Sequence, residues 1–162
     1  MAGEEFLREE REPFNRDRVI GILENLIDAC RDGENGYRDA AEHITDSGLR
    51  SYFQGQSLER ARFAADLELA IERLGKWEQT HQGTLAATVA RDWFDLKRFF
   101  GGDDAAILEA VEAGEDRAQG AYREALNAEL PPDILGTVRS QAQSVFAAHD
   151  HARTLRERKK AA

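Results

Sequence analysis

Along four stretches of the chain, apolar residues recur at alternating steps of four and three, the spacing that lines one face of an α-helix. From Arg18 to Ile44 the seam reads Leu23, Ile27, Cys30, Glu34, Tyr37, Ala41 and Ile44. Asp46-Ser47-Gly48 interrupts the pattern, and a second helix is expected from Leu49 to Leu74. Its seam is Leu49, Phe53, Gln56, Arg60, Phe63, Leu67, Ala70 and Leu74, and Gly75 is placed to end it in the left-handed conformation that glycine tolerates. A third helix is expected from Ala105 to Glu129, with Leu108, Val111, Glu115, Ala118, Tyr122 and Ala125 inward and Asp103-Asp104 offering its cap. After the turn Leu130-Pro131-Pro132, a fourth runs from Asp133 to Arg158 on Leu135, Val138, Ala142, Val145, His149 and Ala152. The connection from Gly75 to Asp104 holds a shorter amphipathic segment, Leu85 to Phe100, with Leu85, Val89, Trp93, Leu96 and Phe100 on one face.

Two long hairpins joined by a long crossover give an all-α expectation: a ferritin-like four-helix bundle with a short fifth helix in the crossover. A short internal repeat agrees with paired hairpins. Gly36-Tyr37-Arg38-Asp39-Ala40 returns as Ala121-Tyr122-Arg123-Glu124-Ala125, and Phe63-Ala64-Ala65-Asp66 as Phe146-Ala147-Ala148-His149. Residues 1–17 are charged and aperiodic and read as a flexible arm; residues 18–160 read as the bundle domain.

Composition narrows the function classes. The 162 residues suit one domain with a sizeable core, and 33% charged against 41% hydrophobic residues with three prolines fits a helical, water-soluble chain. A formal net charge of -9 argues against a nucleic-acid partner, which needs a basic surface. No apolar run approaches a membrane span, and the charged opening lacks the apolar core of a signal peptide. The single cysteine, Cys30, has no partner for an internal bridge, which points to a reducing, cytoplasmic setting.

Polar residues on the seams are the candidate chemistry. Glu34, Arg60, Glu115 and His149 stand inward on four different helices, with Gln56, Gln141, Tyr37 and Tyr122 nearby. Glu34 lies about 20 Å from its hairpin turn and Glu115 about 25 Å from the other. Because those turns fall at opposite ends, one mid-bundle polar layer is expected. Two readings of that layer are open. In one, Arg60 sits between Glu34 and Glu115 as a buried ion-pair network without a cofactor. In the other, Glu34, Glu115 and His149 hold iron or another divalent metal. Di-iron bundles, however, use Glu-x-x-His twice, whereas Phe146 precedes His149 and Arg60 stands where a ligand is wanted. A guanidinium stays protonated and cannot ligate. Neither a nucleophile–base pair nor a phosphate loop is visible. His43 and His81 read as solvated, while Trp93 and Phe94 are candidates for an interaction surface on the crossover.

The motifs Cys30 to Glu42, Arg60 to Leu67, Trp93 to Lys97, Gly114 to Asp116, Tyr122 to Leu126, Leu130-Pro131, Gln141 and His149-Asp150 together resemble a known family. It is the bacterial ferritin-like four-helix-bundle family classified as a domain of unknown function, and the likeness covers residues 18–157. The resemblance implies a ferritin-like bundle in which the Arg-containing core is a shared trait, and no established activity. Ala90 stands where that family often carries a histidine. The expectation is a cytoplasmic, non-catalytic structural or interaction protein, by analogy one acting under stress; homo-oligomerisation and the partners remain open. The alternative is a metal-binding, ferroxidase-like protein.

Overall fold

The computed structural model describes residues 14–75 and 103–161, which form four α-helices and no strand. α1 spans Arg16–His43, α2 Ser47–Arg73, α3 Asp104–Leu126 and α4 Pro132–Ala161. The expected crossover helix, with Trp93, Phe94 and His81, lies outside the described residues, as does most of the N-terminal arm.

Local chemistry sets the boundaries. α1 begins inside the segment expected as an arm, because the Asn15 side chain accepts from the Arg18 N–H and Phe14 packs on the core. α2 begins at Ser47 rather than Leu49, since Asp46 caps it by accepting from the Leu49 N–H. Asp103 caps α3 in the same way through the Ala106 N–H. Gly75 follows α2 with φ +80°, the left-handed stop its position suggested.

α1 packs against α2, α3 against α4, and the two hairpins meet chiefly along α1 and α3, while α2 and α4 touch sparsely. The α1–α2 turn meets the start of α3: Asp104 accepts hydrogen bonds from the Thr45 N–H (2.9 Å), the Thr45 hydroxyl (2.7 Å) and the Asp46 N–H (3.2 Å). At the far end, Arg73 of α2 and Leu74 just after it line one cleft with Pro131 of the α3–α4 turn and Ile134 in the first turn of α4. The two hairpin turns therefore lie at opposite ends.

Buried apolar side chains form two clusters. The larger gathers Leu23, Leu26, Ile27, Leu67, Ile71, Val138 and Val145 toward the α3–α4 turn; the smaller gathers Tyr37, Ile44, Phe53, Ile107, Leu108 and Val111 toward the α1–α2 turn. On α2 the buried face is Phe53, Ser57, Arg60, Ala64, Leu67 and Ile71. Gln56, Phe63 and Ala70, expected inward, sit at its margin, where Phe63 and Ala70 still pack against the core. Small Ser57 and Ala64 let α2 approach its neighbours closely. The Ser57 hydroxyl donates to the Glu34 carbonyl at 2.8 Å, tying α2 to the α1 backbone.

Candidate functional site

Between the two apolar clusters the core carries an ion pair. Arg60 of α2 and Glu115 of α3 are each 1% exposed. Arg60 Nη2 donates to Glu115 Oε1 at 2.7 Å and Oε2 at 3.0 Å, and the Tyr37 hydroxyl of α1 donates to Oε1 at 2.5 Å. The guanidinium carbon also stands 5.7 Å from the Tyr37 ring centroid. Charge and geometry explain one another. Burial alone would push a proton off Arg60, but the Glu115 carboxylate outweighs it and holds the guanidinium above its ordinary value. Burial first, and the Glu115 charge second, keep the Tyr37 phenol well above its usual range, so it remains a donor. Arg60 Nε is buried with no hydrogen-bond partner among the described residues, so the pair is not fully satisfied.

Gly33 makes room for this side chain. A Cβ there would stand 3.2 Å from Arg60 Cγ and 3.3 Å from Nη1. The residue facing Arg60 from α1 is thus Gly33, and the expected Glu34–Arg60 contact is corrected. Glu34 is turned to the helix edge, where Arg31 (2.9 Å) and Arg38 (3.1 Å) donate to it. One residue is a 100° rotation, enough to move a carboxylate from the core to its margin, where water and two arginines solvate it.

His149 is buried but stands apart from the ion pair. Its Nε2 lies 2.5 Å from Asp116 Oδ1 and its Nδ1 3.4 Å from Asp150 Oδ1, linking α4 to α3. Gln56 is half-buried on α2, its Oε1 without a partner among the described residues. His43 is exposed, with Nδ1 at 2.8 Å from the Asp39 carbonyl.

Gln141 and Tyr122 belong to a second polar group. The Tyr122 hydroxyl donates to Gln141 Oε1 at 2.7 Å and meets Cys30 Sγ at 3.1 Å, while Gln141 Nε2 donates to the Phe63 carbonyl at 3.3 Å. With the phenol proton committed to Gln141, the thiol is left to donate to the phenol oxygen. The same sequence interval separates Cys30 from Glu115 and Tyr37 from Tyr122. The Tyr122–Cys30 contact is therefore the counterpart, with the hairpins exchanged, of Tyr37–Glu115: a neutral and a charged version of one contact. Sequence reading missed this pairing, although the Tyr37/Tyr122 repeat was its signal. It also missed Asp104 as a clasp and Gly33 as a cradle.

Burial pushes the Cys30 thiol up to about 11. The thiolate is the reactive form. Cys30 in the folded chain is therefore expected to react with an aromatic disulfide reagent at least about 100-fold more slowly than in guanidinium-unfolded chain near pH 8. Absorbance stopped-flow measures both rates, and equal rates would place the thiol at the surface.

A di-iron centre does not fit these side chains. It needs several carboxylates and histidines converging on the cations, yet the central layer offers Glu115 alone, already bound by a guanidinium. Among the described residues no three His, Cys, Asp or Glu converge as metal ligands. Likewise, no described helix is long and apolar enough to cross a membrane.

Residues 18–128 match the model of the family described as Domain of unknown function (DUF2383). The match runs from the first turn of α1 through α2 and α3 to the start of the α3–α4 turn, and so includes Cys30, Tyr37, Arg60, Glu115 and Tyr122. Among curated proteins no significant match is found.

Proposed function

The chain belongs to that family of unknown function, and on this premise we propose that it is a ferritin-like helical bundle of bacterial, cytoplasmic type, with a structural or interaction role rather than a catalytic one. The observation that carries the reading is Arg60, whose fully buried guanidinium fills the mid-core position that a metal would need and engages both oxygens of Glu115. A guanidinium cannot ligate, and its charge opposes a divalent cation. The ferritin-like part draws support from topology: α2 ends beside the α3–α4 turn and α3 begins beside the α1–α2 turn, the geometry that a lengthwise crossover serves. A stress-related role follows by analogy with the resembling family alone.

Anaerobic titration of the metal-free protein with ferrous iron, followed by admission of oxygen, tests this reading. Binding and oxidation are expected at the level of the buffer control. Stoichiometric binding with rapid oxidation, lost in Glu115→Ala and kept in Glu34→Ala, would overturn it in favour of a ferroxidase-like protein.

A further inference from the structure

α2 turns Phe53, Ser57, Arg60, Ala64, Leu67 and Ile71 to the core. Its opposite side exposes Leu58, Arg62, Ala65 and Leu69, at the alternating spacing of four, three and four that forms a helix-packing stripe. Leu58 is 73% exposed and Leu69 50%, the large hydrophobic side chains most open to solvent among the described residues. Two exposed leucines with a small alanine between them, on a helix whose inner face is already used, offer apolar contacts to a second helix.

The pattern is complementary to itself. A two-fold axis passing between Phe63 and Ala64 of two antiparallel α2 helices sets Leu58 against Leu69 of the second copy, twice. The same register brings Arg62 within one residue of the level of the second copy's Asp66 along one flank. Along the other it sets Ala61 beside the second copy's Ala65, and these small side chains permit close approach. In an antiparallel pair like flanks meet, so both ion pairs form together, as a closed two-fold contact requires. Each leucine rims a surface cleft, Leu58 with Arg50 and Gln54, Leu69 with Arg73 and Thr137, which gives the partner's leucine a place to settle. We infer that the outer face of α2 is a homodimer interface, built antiparallel on Leu58–Leu69 contacts and Arg62–Asp66 ion pairs between two copies of this chain. The surface is independent of what the core binds.

Sedimentation equilibrium and size-exclusion chromatography with light scattering on the full chain test it. The wild type is expected at twice the chain mass. Leu58→Glu with Leu69→Glu should halve that mass with unchanged helical circular dichroism, since both side chains are exposed. Arg62→Asp gathers like charges at the centre and should weaken dimerisation by about tenfold or more. Adding Asp66→Arg to it exchanges the charges and should restore the dimer. A wild type that stays monomeric at every concentration tested, a dimer indifferent to the leucine changes, or a charge exchange without rescue would each overturn the inference.

Discussion

Arg60→Ala is expected to destabilise the fold by about 3–5 kcal/mol, the loss typical of removing one partner from a buried ion pair. The change leaves the Glu115 carboxylate with the Tyr37 hydroxyl as its remaining partner, in a layer where both charged residues are 1% exposed. The large loss does not mean that the pair itself stabilises strongly. Arg60 Nε is buried without a hydrogen-bond partner among the described residues, so part of the desolvation cost goes unrecovered. Replacing both partners with apolar side chains, Arg60→Met with Glu115→Leu, should therefore be near neutral or stabilising by about 1–4 kcal/mol. It would also join the two apolar clusters that the ion pair now separates. Urea unfolding of the wild type, both single variants and the double variant gives the coupling directly. An unchanged midpoint for Arg60→Ala would contradict the buried pairing. A double variant as unstable as the singles would show that the layer adds net stability as a unit.

Asp104→Ala is expected to cost about 2–4 kcal/mol, because it removes three hydrogen bonds to one carboxylate at the junction of α3 with the α1–α2 turn. The same contact sets a pH dependence. Burial opposes the charged form of Asp104, but the bonds from Thr45 and Asp46 outweigh it and hold the carboxyl below its ordinary value. A lowered folded-state pKa favours the ionised form, so this contribution is present above about pH 4 and is lost as pH falls through the folded-state value. Asp28 works in the opposite sense: burial, with the nearby Glu24 charge, raises its carboxyl to about 6. Its contribution is present below the ordinary carboxylate value and is lost as pH rises through about 6. The Asp104 effect is therefore read below about pH 4, where wild type and Asp104→Asn should converge as the bonded carboxylate is protonated. A constant gap between the two down to acid unfolding would remove the clasp's ionic character.

Much of the architecture was legible because its signals are local. Period-3.6 seams, the proline turn at Pro131-Pro132 and the Gly75 stop each act within a few residues, and α1 to α4 lie where they point. Asp46, which read as part of a break, is the cap that starts α2, because an aspartate before a helix accepts the N–H groups the helix leaves free. The polar residues on the seams were legible by type, since a charge on an apolar face demands a partner. Their partners were less so. Glu34 and Gly33 differ by a single step along α1, and either could be placed inward by counting. The structure chooses Gly33, because the long Arg60 side chain lies so close to it that a Cβ there would stand 3.2 Å from Arg60 Cγ.

By itself, then, the sequence determined four amphipathic helices, the Gly75 and proline stops, the cap of α3, and the presence of Arg60 and Glu115 on inward faces. Periodicity and capping are properties of neighbours in the chain. Only the tertiary structure decided that Arg60 meets Glu115 and Tyr37 while Glu34 is left to Arg31 and Arg38, that His149 turns to Asp116, and that Cys30, Tyr122 and Gln141 close a second, neutral group. Those choices depend on helix rotation and on side-chain reach across the core. A buried charge goes to whichever opposite charge the packed helices bring within about 3 Å, and residues far apart in the chain acquire that distance only once the fold has formed.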